Sequence, residues 1–298
     1  MTANGQSVWL QGLILALALL SLLCTWWAGR TASPVVAILG RWVRWVFIAC
    51  FLAGLVNWFG WTGYSFPVLL AVALLAWFLV ETLYNWLAIS ALSKSDLPLF
   101  PKFEENDRGD EWPSEPRFIQ LKEWLRKTGF QRRQALLSLL GEQVLMRVSV
   151  FENADQSERL HILFIPNARG HTTTCCTFFS TTVSEALIVT DNVFLPFGGF
   201  YPEHWEVERR PWTRSPEKLL LRHRARIDAK AESLQPFSDS PLDDINANQR
   251  LVEQLNRELG FLHSPQAEED HGRLTPAGKA RLWQELWTLA YLGLPLHS

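Results

Sequence analysis

The first 93 residues of this chain carry almost no charge, and this feature constrains the fold more than any other. Only four charged side chains occur in this stretch, namely Arg30, Arg41, Arg44 and Glu81. Residues 94–298 contain 25 Lys and Arg residues and 29 Asp and Glu residues. An apolar first third followed by a charged remainder is typical of a membrane protein that carries a hydrophilic domain.

Two charge-free stretches are long enough to cross a bilayer as helices. Val8–Ala28, with 21 residues, would span about 31 Å as an α-helix, which is close to the thickness of the hydrocarbon core. Trp45–Val80 is too long for one span, and glycines and a proline between residues 60 and 67 indicate a turn inside it. We therefore predict three transmembrane helices within residues 1–93, the second over about Pro34–Phe59 and the third over about Phe66–Leu92.

The first helix has a competing interpretation as a cleaved signal peptide. A signal peptide begins with a positively charged region, and residues 1–7 contain no Lys or Arg. The apolar stretch is also longer than the apolar core of an ordinary signal peptide. We therefore expect a retained membrane anchor.

The positions of Lys and Arg around the three helices predict their orientation. Three arginines lie between the first and the second apolar segments, and Lys94 and Lys102 follow the third. The stretch before the first helix and the turn between the second and third helices contain neither residue type. Because positively charged flanks stay in the cytoplasm, we expect the N-terminus outside and the hydrophilic domain in the cytosol. This pattern predicts a multi-pass protein of the bacterial inner membrane, with the lipid bilayer as a partner.

Arg44 and Glu81 lie at the same distance from the predicted turn. Arg44 precedes Gly60 by 16 residues and Glu81 follows Ser65 by 16 residues, so both should reach the same level of the bilayer. We predict that they form a membrane ion pair or extend separately to the interface. The alternative is an ion or proton site that includes Asn85, one helical turn after Glu81.

The hydrophilic part is predicted to consist of a linker, an α+β domain and a C-terminal helical region. Residues 94–116 contain four prolines and ten charges, a composition typical of a flexible tether. Residues 117–233 are predicted to form a cytosolic α+β domain with an antiparallel sheet of about four strands and flanking helices. The remaining residues, 234–298, are predicted to be helical. The predicted strands are 143–151, 160–165, 174–181 and 187–190, and the first helix covers residues 117–128.

The last predicted helix is apolar on more than one face. It begins at Thr275 and Pro276, which suit a helix start, and runs to about Leu292. A helix of this kind is either deeply buried or has one side against the membrane, a partner or another domain.

Two adjacent cysteines form the stretch that most resembles a catalytic motif. Cys175 and Cys176, with His171 as a base, are candidates for a nucleophilic site of a membrane-face enzyme. The alternative is that both are small buried apolar side chains, because neighbouring residues on a strand point to opposite faces. The sequence contains none of the common nucleotide-binding, metalloprotease, hydrolase or kinase motifs, and we predict no cofactor and no metal site.

Polar residues near the fourth predicted strand have both a structural and a functional interpretation. Asp191 and Asn192 end that strand, where an Asx turn is expected and a ligand-binding carboxylate is the alternative. Glu203 and His204 could act as an acid–base pair, but mixed charges in a loop usually form a solvated rim.

An aromatic, glycine-rich loop (residues 196–202) is followed by a cluster of basic residues. We predict a binding surface for a protein partner or for anionic lipid headgroups there. The excess of acidic residues in 94–298 argues against a nucleic-acid partner. The residues assigned to this surface are Phe197, Phe200, Tyr201, Arg209, Arg210, Arg214, Arg222, His223 and Arg226.

Residues 187–227, beginning LIVTDN and including LPFGGFYP and RSPEKLLLRHRARI, are similar to segments of uncharacterised bacterial membrane proteins with a small cytosolic α+β module. The resemblance implies the α+β fold and no particular activity. We expect a membrane-anchored interaction or sensing domain rather than an enzyme. The alternatives are an enzyme with a Cys/His site and an accessory subunit of a larger membrane complex.

Overall fold

The computed structural model describes residues 3–31, 33–107, 112–113, 115–140, 144–166 and 172–296. These residues divide into two compact units. The membrane unit comprises Met1–Ala91 and Leu286–Leu294, and the α+β unit comprises Leu92–Glu285 and Pro295–Ser298.

The membrane unit contains three long helices, α1 (Ala3–Thr31), α2 (Pro34–Trp58) and α3 (Phe66–Lys94). All three are long and apolar enough to cross a membrane, which indicates a membrane-embedded N-terminal region as predicted. Proline at the first position of α2 starts that helix without losing a hydrogen bond. Gly60 lies in the turn after α2 and has a left-handed backbone, with φ +61°. Few residues other than glycine adopt this conformation.

Small residues set how closely these helices pack. A Cβ atom on Gly40 would lie 3.0 Å from the Cβ of Cys24, and one on Gly54 would lie 3.0 Å from Cδ1 of Ile14. The absence of side chains at both glycines therefore allows α2 to lie close against α1, as is common between membrane helices. Small and apolar residues also line the contact between α2 and α3, namely Ala49, Ala53, Leu69 and Ala73.

The α+β unit is built on one mixed sheet of eight strands, which is larger than the predicted sheet of about four antiparallel strands. Its strands are β1 (Glu104–Glu105), β2 (Gln131–Leu140), β3 (Val144–Glu152), β4 (Arg159–Pro166), β5 (Thr172–Thr182), β6 (Leu187–Asp191), β7 (Trp205–Arg209) and β8 (Leu234–Gln235). Strands β1 to β6 follow one another as antiparallel neighbours. Strand β7 pairs in parallel with β6, and β8 pairs with β5.

The four predicted strands correspond to β3, β4, β5 and β6, and the missed ones have patterns too short or too irregular to identify them. Strand β2 ends in the run ALLSLL, which has no clean period of two. Strand β7 has the sequence WEVER, whose three charged residues are typical of a loop. Long-range pairing with β6, rather than local preference, stabilises β7 as a strand.

Helices cover both faces of the sheet. The helices of this unit are α4 (Pro116–Lys127), α5 (Pro216–Lys230), α6 (Pro241–Glu258), α7 (Pro265–His271) and α8 (Pro276–Trp287). On one face, α4 and α5 contribute Phe118 and Leu219 to a core with Ile162 and Phe178 of the sheet. On the other face, Ile245 of α6 packs with side chains of β2 and β3. The sheet therefore lies between two apolar layers.

The segment predicted to be a flexible tether makes specific contacts in its described part. Strand β1 pairs with β2, and Phe103 is buried. The Phe103 N–H donates to Oδ1 of Asn246 at 2.8 Å, and Nδ2 of Asn246 donates to the Phe103 carbonyl at 2.9 Å. The Arg273 guanidinium donates to the carbonyls of Ser95 and Leu97. Residues 95–106 are therefore part of the α+β unit.

The last helix leaves the α+β unit near its end. Helix α8 passes directly into a π-helix, Thr288–Leu292, and residues Leu286–Leu294 group with the membrane helices. The sequence predicted that this helix is either deeply buried or lies against the membrane, a partner or another domain. Its C-terminal end belongs to the membrane unit, which matches the second arrangement.

Candidate functional site

The α+β unit contains a cleft of about 320 Å³ between the sheet and α6. Its floor is formed by side chains of β4 and β5 that share one face because they alternate along each strand. Helix α6 and the segment after β8 form one wall, and the start of β7 forms another. The residues that matter most for its chemistry are Arg159, His161, Phe179, His204, Trp205, Phe237 and Asp244.

Arg159 is buried at the edge of this cleft, and each of its three guanidinium nitrogens donates a hydrogen bond. Its Nε donates to Glu152 at 2.7 Å, its Nη1 to Asp244 at 2.6 Å and its Nη2 to the Ser238 carbonyl at 2.8 Å. The guanidinium also lies 4.4 Å above the ring of Phe237. Glu152 also pairs with Arg133 at 2.7 Å, so two carboxylates face two guanidinium groups and the cluster has no formal net charge.

His161 lines the same cleft, and its Nε2 is buried without a hydrogen-bond partner among the described residues. Burial, together with the nearby positive charge of Arg159, lowers the pKa of His161 to about 3. The imidazole is therefore neutral at physiological pH. Its ring lies 4.6 Å from the ring of Phe179. A neutral, unpartnered ring nitrogen of this kind can donate or accept one hydrogen bond with a ligand.

The aromatic loop is fixed inside the α+β unit. The backbone N–H groups of Phe197 and Gly198 both donate to the Glu285 carboxylate of α8, the first at 3.0 Å. Oδ1 of Asn256 accepts from the Phe200 N–H at 2.8 Å, and its Nδ2 donates to the Phe200 carbonyl at 2.8 Å. These contacts hold the loop backbone against α6 and α8.

Arg209 is buried, so it does not lie on the surface to which the sequence assigned it. Its guanidinium donates to Glu285 at 2.8 Å and to the Tyr201 hydroxyl at 2.7 Å, and lies 3.5 Å from Asp191. Burial raises the pKa of Asp191 to about 6, and the Arg209 charge opposes this rise. Asp191 also accepts from the Val193 N–H at 2.9 Å, as the predicted Asx turn requires. This cluster anchors the aromatic loop to β6, β7 and α8.

His223 is also buried rather than exposed. Its Nδ1 lies 3.0 Å from the Thr190 hydroxyl and its Nε2 lies 3.1 Å from the Ser180 hydroxyl. Burial lowers the pKa of His223 to about 3, and the neighbouring arginines of α5 contribute. The neutral ring therefore connects α5 to β5 and β6.

Three of the predicted surface arginines remain exposed, namely Arg210, Arg214 and Arg222. Arg210 and Arg222 both pair with Glu208, at 2.5 and 2.9 Å. Arg226 is half-buried and donates to the carbonyls of β6 and β7. Trp212 and Leu221 are large apolar residues exposed in the same stretch of sequence.

The two adjacent cysteines are buried on opposite faces of β5. Cys176 belongs to the core beneath α4 and α5, and Cys175 lies on the face of Asp191. Burial raises the pKa of Cys175 to about 11 and that of Cys176 to about 12. Both thiols are protonated at neutral pH, which disfavours a thiolate nucleophile. His171, the predicted base, lies outside the described residues. In the part of the chain that is described, no group of three His, Cys, Asp or Glu side chains is arranged to hold a metal ion.

In the membrane unit, Glu81 contacts an indole and a phenol instead of Arg44. Nε1 of Trp45 donates to the carboxylate at 2.7 Å, and the hydroxyl of Tyr291 also donates to it. Arg44 is exposed, and the described residues include no ion pair between it and Glu81. The sequence placed both charges at one level of the bilayer but could not identify the C-terminal tyrosine as a partner.

Sequence reasoning missed the residues of the cleft because they come from six separate segments. Arg159 and His161 lie in a strand that was identified, and the alternation of that strand does place both on one face. Asp244, the partner of Arg159, is distant in sequence, in the first turn of α6. His204 was considered only as half of an acid–base pair with Glu203. No local pattern indicates that these segments enclose a cavity.

Comparisons with known proteins add no functional information, so a functional conclusion has to rest on this geometry. No family model, no curated protein and no solved structure matches this chain.

Proposed function

We propose that this chain is a membrane-anchored sensing protein whose α+β unit binds a small, uncharged, ring-containing ligand in the cleft between the sheet and α6. The observation that carries the proposal is the buried, unpartnered Nε2 of His161 beside a cavity of about 320 Å³. Cavities of this size lie at the lower end of the range that accommodates small organic ligands.

The electrostatics of the cleft favour a neutral ligand. Arg159 is balanced by Glu152 and Asp244, and His161 stays neutral because its pKa is lowered to about 3. An anionic ligand would lose its hydration without gaining an unpaired cation. Phe179 and Trp205 supply aromatic surface against which a flat ring can pack.

Ligand-observed NMR on the full-length protein in detergent micelles tests this proposal with benzamide, indole and benzoate as probes. We expect saturation transfer to benzamide and indole and none to benzoate, which matches benzamide in size but carries a charge. Replacement of Ala247 on the α6 wall by tryptophan should fill the cleft and abolish the signal. Leu251→Trp, one turn further on the same helix and outside the cleft, is the matched control. The proposal fails if neither neutral probe binds, or if A247W binds them as well as the unaltered protein does.

We further propose that the protein resides in a bacterial inner membrane, with its N-terminus outside and its α+β unit in the cytosol. The positions of Arg30, Arg41 and Arg44 between α1 and α2, and of Lys94 at the end of α3, support this orientation. The turn between α2 and α3 contains no cation.

A second candidate function is contact with anionic lipid headgroups or with a protein partner. Arg210, Arg214 and Arg222 are exposed, and Trp212 and Leu221 add apolar surface. Glu208 partly neutralises two of these arginines, which weakens the attraction. The burial of both cysteine thiols gives the enzyme alternative less support than either binding function. A role as an accessory subunit predicts a second membrane protein that co-purifies in fixed proportion.

A further inference from the structure

The C-terminal segment, defined here as residues 286–294, contains no charged side chain, although it follows the charged α8. Its sequence is LWTLAYLGL, and Glu285 immediately precedes it. This segment belongs to the membrane unit, whereas Glu285 belongs to the α+β unit. The change from charged to uncharged sequence therefore coincides with the change of unit.

Aromatic side chains attach this segment to α2 and α3. The hydroxyl of Tyr291 accepts from Nε1 of Trp45 at 2.8 Å and donates to Glu81. The ring of Trp287 stacks on that of Tyr291 with centroids 4.5 Å apart and meets Phe78 of α3 at 5.3 Å. Tyr291 retains only 4% of its accessible surface. This end of the chain is thus packed against membrane-spanning helices as firmly as a core residue.

Side chains of α2 also donate hydrogen bonds to backbone carbonyls of this segment. Nη1 of Arg41 donates to the Ala290 carbonyl at 2.6 Å, and Nε1 of Trp42 donates to the Tyr291 carbonyl at 2.9 Å. Carbonyl groups at the end of a helix lack partners within that helix. In or near the hydrocarbon region such groups must be satisfied by protein, because water is scarce there. Arg41 and Trp42 supply these donors.

Two leucines of the segment remain about half exposed after this packing. Leu292 keeps 53% and Leu294 keeps 56% of its accessible surface. Between them, Gly293 has a left-handed backbone, φ +65°, and ends the π-helix. Just before these leucines, the carbonyls of Ala290 and Tyr291 accept hydrogen bonds from Arg41 and Trp42 of α2, residue types that mark a membrane–water interface.

We propose that the C-terminal segment lies within the membrane interface and inserts Leu292 and Leu294 among lipid acyl chains. The absence of charge, the satisfied carbonyls and the packing on α2 and α3 each match what lipid requires of a non-spanning segment. The chain then contacts the bilayer at a fourth place besides its three spanning helices. This conclusion does not depend on the ligand proposed for the cleft.

A fluorescent probe on a single introduced cysteine tests the insertion. Leu294→Cys is labelled with nitrobenzoxadiazole in the full-length protein, which is reconstituted at one copy per phosphatidylcholine–phosphatidylglycerol nanodisc. Wild-type protein, whose four cysteines are all buried, gives the labelling blank. Leu75→Cys on α3 is the lipid-facing reference, and Leu259→Cys after α6 is a control of similar exposure in the α+β unit.

We expect the probe at position 294 to emit at short wavelength and to be quenched by doxyl-labelled lipid as strongly as the probe at position 75. The probe at position 259 should emit as in water and resist quenching. Water-like emission at position 294 would overturn the proposal. Short-wavelength emission without quenching would also overturn it, because protein rather than lipid would then cover the segment. All three replaced leucines are exposed, so none of the variants removes a core contact.

Discussion

His223 shows how little the local sequence reveals about the environment of a single side chain. It lies between Arg222 and Arg224 in a run typical of an exposed basic helix, yet it has no accessible surface. Arg209 and Arg210 give the same lesson for a strand, because one is buried and its neighbour exposed. Arg209 ends β7 and Arg210 lies just after it, and the short, charged sequence of β7 concealed the strand itself.

The buried imidazole of His223 should make folding stability depend on pH. In the unfolded chain a histidine has a pKa near 6.5, whereas burial lowers the pKa of His223 to about 3. Below pH 6.5 the unfolded state therefore binds a proton that the folded state excludes, and the free energy of unfolding falls as the pH falls. We expect His223→Leu to cost about 1 to 3 kcal/mol at pH 7, because the variant loses two hydrogen bonds.

The stability difference between wild type and His223→Leu should shrink by about 1 kcal/mol for each pH unit below 6.5, since only the wild type excludes that proton. Denaturant titration of both proteins in micelles, from pH 7.5 to 4.5, measures this difference in the free energy of unfolding. Asp191, whose raised pKa has the opposite effect, is common to both proteins and cancels. His204→Leu, at an exposed position, is the control and should leave the free energy of unfolding at pH 7 nearly unchanged. Parallel pH profiles for wild type and His223→Leu would contradict the account.

At the scale of elements, the sequence predicted the helices and strands that have a strong local period. Helix α5 begins at Pro216, and the hydroxyl of the preceding Ser215 accepts from the Lys218 N–H at 3.3 Å, as local capping preferences favour. The aromatic loop was correctly expected to be irregular, but its role was not foreseen. It is fastened by Glu285 and Asn256, which lie on helices distant in sequence, and no local pattern encodes such a contact.

Gly198 allows the aromatic loop to lie against α8. Its φ is +69°, and a Cβ atom there would lie 2.7 Å from Cα of Leu282. We expect Gly198→Ala to lower the free energy of unfolding by about 2 to 4 kcal/mol, because backbone strain and overpacking add. Gly260→Ala is the matched control, since φ is +73° and nothing lies within 4 Å of the added atom. That variant should lose only about 1 to 2 kcal/mol. Equal losses in the two variants would show that the loop tolerates displacement from α8.

At the scale of the whole molecule, the chain passes from the membrane unit into the α+β unit and then back to the membrane unit near its C-terminal end. Helix α3 leads into that unit at Leu92, and α8 leaves it at Leu286. The three membrane helices were predictable because apolar length alone determines them. The cleft, the buried Arg209 cluster and the return of the C-terminus were not predictable, because each joins residues more than 70 positions apart.

The central claim, a membrane-embedded bundle that presents an α+β unit to the cytosol, is tested most directly by cysteine accessibility. Thr62→Cys lies in the exposed turn between α2 and α3, and Val183→Cys lies at an exposed position between β5 and β6. The four native cysteines are buried and give little background. With a membrane-impermeant maleimide, Thr62→Cys should be labelled in intact cells and Val183→Cys only in inverted membrane vesicles. Labelling of Val183→Cys in intact cells, or recovery of the protein in the soluble fraction without detergent, would contradict the account.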